Sequence, residues 1–312
     1  MNPILILTGP TGVGKTETSL LLAKSLNGEI ISCDSMQVYQ TMNIGTAKIK
    51  EEEKMGVPHH LLDLITPDQP FDVYAFQTMA KEKIREILDR KHLPILVGGT
   101  GFYIRALLYD NEFEQNHNDL EYRNQLLARS KEQGPLVLHS MLKEVDSESA
   151  ANIHPNNVKR VIRALEFYHE TGIPISTHNQ QMRKKESPYD FHYFVLTMER
   201  ELLYKRINAR VEEMLKDGLV EEAKKLYDKQ YDRHLTSMQA IGYKELFAYF
   251  DGEISLDEAK EWIQKNSRHY AKRQLTWFRK EKIVEMIDKT GQSAEETAHL
   301  ILSRLEPEFN FS

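Results

Sequence analysis

Eight consecutive residues, Gly9-Pro10-Thr11-Gly12-Val13-Gly14-Lys15-Thr16, have the spacing of a phosphate-binding loop. In such a loop the glycines let the backbone curl until successive amide N–H groups face one anion, and the helix that follows adds its positive end. Lys15 supplies a mobile charge, and the Thr16 hydroxyl suits Mg²⁺, a hard cation that prefers oxygen ligands. The chemistry implied is the handling of a di- or triphosphate. It leaves the reaction open, because the same cradle serves hydrolases, kinases and transferases that expel pyrophosphate. Asp34 and Thr100 are the next candidates. Asp34 ends an apolar run and reads either as a magnesium ligand or as a base facing an acceptor. Thr100 follows Gly98-Gly99, where a hydroxyl can approach a ligand or cap a helix. A hydrolase is expected to end such a strand in an acidic residue, which Ile95-Leu96-Val97 does not.

These residues need a scaffold that brings distant segments to one edge. Ile4–Leu7 is a continuous apolar run rich in β-branched residues, as in a strand buried on both faces. Helical spacing follows in Thr18–Ala23, a second short run in Glu29–Cys33, a helical pattern in Tyr74–Leu88 and another buried run in Leu93–Val97. This alternation predicts an α/β fold, a P-loop NTPase-like parallel sheet with crossover helices. From about residue 113 to 189 the chain turns polar and helix-prone, which predicts a helical insertion dividing a core of residues 1–112 and 190–312. The sheet is expected to resume at His192–Leu196, followed by long helical patterns over Leu202–Leu226 and Ile263–Phe278.

Composition narrows the class. In 312 residues, 40% are hydrophobic and 28% charged, the balance of a globular protein. No cationic leader precedes the first apolar run, so residence in the cytoplasm, away from membranes, is expected. The single cysteine, Cys33, excludes an intrachain disulfide and a cysteine-based metal site, and reads as an apolar filler. His59-His60 read as structural, since adjacent side chains diverge and no further ligands accompany them. The net charge of −6 argues against a uniformly basic nucleic-acid binder. Cations are nonetheless clustered. On a helix, Val158, Val161, Ile162, Leu165 and Tyr168 share one side and leave Lys159, Arg160 and Arg163 near the other. Arg268, Lys272 and Arg279 form a second stripe, with Ile263, Tyr270 and Trp277 on another, and Arg183-Lys184-Lys185 adds charge at the end of the insertion. Arg206 and Arg210, four apart on a helix, reach either a pyrophosphate or the neighbouring Glu212 and Glu213.

Taken in order, the phosphate loop, Asp34–Tyr39, Val57–Leu61, Gly98–Tyr103, Lys159–Glu166, Gln239–Glu245 and Lys272–Arg279 resemble the tRNA dimethylallyltransferase family over nearly the whole chain. The resemblance implies transfer of a dimethylallyl group from dimethylallyl diphosphate to N6 of an adenosine beside the tRNA anticodon, without consumption of ATP. It implies that Gly9–Thr16 hold the diphosphate with Mg²⁺ on Thr16, that Asp34 receives the N6 proton, and that Thr100 assists at the transferring group alongside Lys15. Contacts with the anticodon stem-loop are implied for Asp34, Ser35, Met36, Gln37, Thr100, Arg123, Lys159, Arg160, Val161, Ile162, Arg163, Gln239, Gly242, Lys244, Lys272, Arg273, Gln274 and Arg279. Phe102 stands where the family often has leucine, and no cysteine-histidine extension follows the core, unlike eukaryotic relatives. An acceptor adenine must leave its stack to react, so base flipping is expected. A monomer is expected too. A small-molecule kinase, a prenyltransferase of free adenine nucleotides and a non-catalytic RNA-binding module are the rival readings.

Overall fold

The computed structural model describes residues 2–109, 120–182, 186–281 and 283–305, which form two compact units, 1–108 with 188–312 and 109–187. Arg183-Lys184-Lys185 lie outside the described residues, as does residue 113, where the insertion was expected to begin.

The first half of the larger unit contains β1 (Pro3–Thr8), α1 (Lys15–Ser25), β2 (Gly28–Ser32), β3 (His59–His60), α2 (Val73–Asp89), β4 (Leu93–Gly98) and α3 (Gly101–Leu108). The smaller unit holds α4 (Leu120–Gln133), α5 (Pro135–Val145), α6 (Ser147–Asn152), α7 (Val158–Thr171) and α8 (Ile175–Met182). The larger unit resumes with β5 (Asp190–Thr197), α9 (Arg200–Lys216), α10 (Leu219–Asp228), α11 (Tyr243–Phe250), α12 (Leu256–Phe278), β6 (Glu285–Asp288) and α13 (Ala294–Leu302).

The strands form the expected parallel sheet, in the order β3-β2-β4-β1-β5-β6. Ile4, Leu5, Ile6 and Leu7 of β1 are fully buried because helices cover both faces and β4 and β5 pair on its two edges. The chain runs first to one side of β1 and, after β4, crosses to the other. That reversal creates a crevice at the carboxyl ends of the strands, the usual ligand position in an open α/β sheet. Helix α1 buries hydroxyls with its leucines, and each is satisfied within the helix: Thr18 donates to the Gly14 carbonyl at 3.1 Å and Ser19 to the Thr16 carbonyl at 2.8 Å. The long pattern expected over Leu202–Leu226 is two helices, because Gly218 has φ +102° at the break.

The excursion from β2 to β3 is locked onto α10 and α11. The Glu222 carboxylate accepts the backbone N–H groups of Asn43, Ile44 and Gly45 at 2.9–3.1 Å and the Tyr243 hydroxyl at 2.6 Å. In the smaller unit, Leu126, Leu138, Leu142, Val161, Ile162 and Leu165 form the core, and the buried Glu166 is clamped by Arg123.

Candidate active site

The loop between β1 and α1 closes because glycine occupies its tight positions. A Cβ on Gly9, whose φ is +145°, would stand 2.5 Å from the Leu196 carbonyl of β5. Lys15 folds back across the loop and donates to the carbonyls of Gly9 and Pro10, each at 3.0 Å. Burial lowers its pKa to about 8, Asp34 opposes the drop and Arg210 adds to it. Pro10 therefore offers its carbonyl rather than an N–H, and Val13 anchors the loop in the core with its side chain fully buried. Thr16 is exposed in the first turn of α1, beside a cavity of about 40 Å³ also lined by Ser19, Ser32 and Gln37.

Two arginines of α9 face this loop. Arg206 donates through Nε to the Gly12 carbonyl at 3.0 Å. Burial lowers the pKa of Arg210, while Asp34 and Glu213 act in the opposite direction. Arg206 thus holds the loop carbonyl, and the charge on Arg210 is balanced by Asp34 ahead of Glu213.

Asp34 and Thr100, distant in sequence, meet because β2 and β4 are neighbours. The Cys33 N–H donates to Val97 at 2.7 Å and the Thr100 N–H to Cys33 at 3.1 Å. The Ser35 N–H then donates to the Thr100 hydroxyl at 3.2 Å. A Cβ at Gly98 would stand 2.3 Å from the Cys33 carbonyl, so the strand ends approach as closely as backbone permits. The Thr100 carbonyl receives the first N–H groups of α3, from Tyr103 and Ile104, while its hydroxyl faces Ser35. Asp34 Oδ1 accepts the Met36 N–H at 2.9 Å, a turn that leaves Oδ2 for other work. Cys33 is fully buried and burial pushes its thiol pKa up, as befits a filler.

Tyr270 of α12 is a site residue that sequence reasoning assigned to an apolar stripe. Its hydroxyl pKa is raised by burial and by the facing Asp34, while the neighbouring Thr100 and Gln274 side chains act in the opposite direction. The signal was its four-residue spacing from Gln274. Nothing in the sequence signalled Lys289, which is buried beside Gly14.

The residues expected to contact RNA separate into two kinds. Lys159 and Arg160 on α7, Gln239, and Lys272, Arg273 and Arg279 at the end of α12 are exposed; Arg163 and Lys244 are partly so. Of the others, several are buried or already hydrogen-bonded within the fold. Val161 and Ile162 are core residues of the smaller unit, 0% and 3% exposed, with no side-chain surface for a ligand. Arg123 commits its fork to Glu166 at 2.6 and 2.7 Å. Gln274 is buried and accepts the Thr11 N–H at 2.9 Å while donating to the Gly99 carbonyl at 3.0 Å, tying the phosphate loop to the Thr100 turn. Gln37 accepts from the Ser32 hydroxyl and donates to the Thr46 carbonyl, holding its own loop. Gly242 is buried, with φ +100°, where α11 begins. Ser35 and Met36 remain partly open beside Asp34.

The two histidines are structural, as expected: His60 Nε2 lies 2.6 Å from Glu29 and His59 Nδ1 lies 2.8 Å from the Val57 carbonyl. Among the described residues no group of three His, Cys, Asp or Glu could hold a metal ion.

The IPP transferase family model matches residues 37–281. The chain belongs to this family. It is 52% identical to a tRNA dimethylallyltransferase of Lachnoclostridium phytofermentans over 95% of this chain and 94% of that one. It is also 52% identical to that of Geobacillus thermodenitrificans over 98% of each. Among solved structures, the tRNA isopentenylpyrophosphate transferase of Bacillus halodurans matches with a TM-score of 0.73 at 47% identity, covering 97% of this chain and 96% of that one. A eukaryotic dimethylallyltransferase acting on tRNA matches with a TM-score of 0.80 at 28% identity, covering 96% and 77%. The family's sheet is thus shared even with the more distant eukaryotic structure.

Proposed function

We propose that this chain transfers a dimethylallyl group from dimethylallyl diphosphate to N6 of the adenosine adjacent to a tRNA anticodon, releasing diphosphate. The observation that carries this reading is the meeting of Asp34, Thr100 and the phosphate loop at the carboxyl ends of β2, β4 and β1. Breaking the allylic C–O bond builds negative charge on the leaving diphosphate and positive charge on carbon. Stabilisation of the leaving group is then the largest help a protein can give. Lys15, Arg206, Arg210 and the loop amides supply it, with Lys15 exchanging the Gly9 and Pro10 carbonyls for phosphate oxygens. Adenine N6 is a weak nucleophile, its lone pair being delocalised into the ring; Asp34 accepts the proton it loses as the new C–N bond forms. Thr100 positions that encounter from its turn beside Ser35.

The exposed Thr16 hydroxyl, next to a small cavity that Ser19, Ser32 and Gln37 help to line and with no carboxylate cage among the described residues, fits Mg²⁺ held largely by the substrate's own phosphates. When bound, Mg²⁺ would neutralise charge on the diphosphate. The exposed cations of α7 and α12 bind the anticodon stem-loop.

The test is incubation with labelled dimethylallyl diphosphate, Mg²⁺ and unmodified tRNA, followed by nucleoside analysis. Label is expected on N6 of the adenosine beside the anticodon. Activity with ATP alone, or label elsewhere, would overturn the reading.

A further inference from the structure

Lys289 is the first residue after β6, where its N–H donates to the Thr197 carbonyl at 2.9 Å. It is only 2% exposed. Its methylene chain lies against the last glycine of the phosphate loop: a Cβ on Gly14 would stand 2.9 Å from Lys289 Cε and 3.6 Å from Arg206 Nη2. Two cations from different elements, one after β6 and one on α9, thus converge on the point where the loop becomes α1. Gly14 has φ +96°, and a side chain there would press on Lys289 and come into contact with Arg206.

A lysine buried only to fill space is a costly choice, since a methionine packs as well without desolvating a charge. Among the described residues its hydrogen-bond partner is the Thr297 hydroxyl at 3.3 Å. Burial depresses its pKa, Arg206 pushes the same way, and Glu17, Glu295 and Glu296 oppose through space. The amino end of α1 beside it is itself positive. An ammonium there adds to the positive field of the helix end and Arg206, which the three glutamates oppose from a distance and an anion in the loop would oppose directly.

We propose that Lys289 is a positioning residue of the diphosphate cradle: standing behind Gly14 with Arg206, it fixes the end of the loop and supplies a second, buried charge that strengthens binding of the leaving group. The inference rests on reading the loop as a diphosphate site, and it deepens that reading by assigning a residue outside the loop motif and outside α9.

Titration calorimetry with inorganic pyrophosphate and Mg²⁺ tests it on the wild-type protein, Lys289→Met and Lys289→Arg. Pyrophosphate affinity should fall roughly five- to tenfold in Lys289→Met, as expected for loss of one charge close to an anion in a partly desolvated site. It should stay within about twofold of wild type in Lys289→Arg. Without ligand, Lys289→Met should melt no lower than wild type, because a buried charge has been removed. A packing role predicts the reverse, lower melting with unchanged affinity, and that result would overturn the proposal, as would Lys289→Arg binding as weakly as Lys289→Met. Should Lys289→Met fail to fold, Lys289→Gln, polar but uncharged, reads the same affinity. A Lys289-dependent affinity in a protein that transfers no prenyl group would sink the proposed reaction and leave this inference standing. Transfer with unchanged pyrophosphate affinity would sink this inference alone.

Discussion

Asp34 does two things with one carboxylate, and they can be separated. Its Oδ1 holds the Met36 N–H at 2.9 Å and shapes the turn; its charge faces Lys15, Arg210 and Tyr270. Asn keeps the turn-forming oxygen and loses the charge, whereas Ala loses both. Asp34→Asn should therefore lower kcat by about 100-fold or more, in the range general-base removal costs, with unchanged melting and stem-loop affinity. Asp34→Ala should add a loss of about 1 kcal/mol in stability from the missing hydrogen bond. Turnover of Asp34→Asn near the wild-type rate would remove the carboxylate from the chemistry. Lys15 offers a pH test. With its pKa lowered to about 8, chiefly by burial, the ammonium is complete below that pH and is lost above it. Pyrophosphate affinity should fall roughly fivefold between pH 8 and 9. Lys15→Arg, which stays charged, should retain only the change due to pyrophosphate's own titration; calorimetry across that range compares the two.

At the scale of elements, the sheet's centre was legible and its edges were not. The apolar runs within β1, β4 and the second half of β5, and the shorter Ile30-Ile31 of β2, reflect strands covered on both faces. The edge strands β3 and β6 carry no such run; of Glu285–Asp288 only Ile287 is buried, and pairing with β5 makes it a strand. The same limit explains the site. Asp34 and Thr100 were legible because strand ends in a parallel sheet point at a common crevice. Gln274, Val161 and Ile162 were swept into RNA contacts with their exposed neighbours, and helical rotation, fixed only by packing, turned them inward. Glu29 shows what cannot be read from sequence at all. From β2 it accepts Arg90, just past the end of α2, at 2.8 and 3.0 Å, and lies 2.6 Å from His60 of β3 and 2.7 Å from His92. Burial alone would raise its pKa, but these partners outweigh burial and hold it at about 2. A carboxyl whose folded pKa lies below its unfolded value near 4.5 stabilises the fold fully above that value, and the benefit fades as pH falls toward 2. The shift corresponds to about 3 kcal/mol. Glu29→Gln should lower the melting temperature at pH 7 by several degrees, and urea titrations should show the gap from wild type closing as pH drops from 5 to 2.

At the scale of the whole molecule, a net charge of −6 has to coexist with binding to a polyanion, which requires charge to be segregated rather than averaged. In the smaller unit, α7 turns Val161, Ile162, Ala164 and Leu165 inward and leaves Lys159 and Arg160 exposed. In the larger unit, α12 buries Ala271, Gln274 and Phe278 and exposes Lys272, Arg273 and Arg279. Each helix carries a cationic face without spending core residues, so charge there can change without unfolding the unit beneath. Arg160→Glu should leave the melting temperature within about a degree of wild type, since exposed substitutions cost little. It should weaken anticodon stem-loop affinity roughly tenfold at low salt and flatten the dependence of log Kd on log salt, because fewer counterions are released. Pyrophosphate affinity, set in the phosphate loop of the larger unit, should not move. Fluorescence anisotropy of a labelled stem-loop across a salt series measures all but the last, and calorimetry supplies that. If Arg160→Glu binds the stem-loop as wild type does at every salt concentration, α7 presents only a solvated surface, and the RNA must be held by the cations of α12.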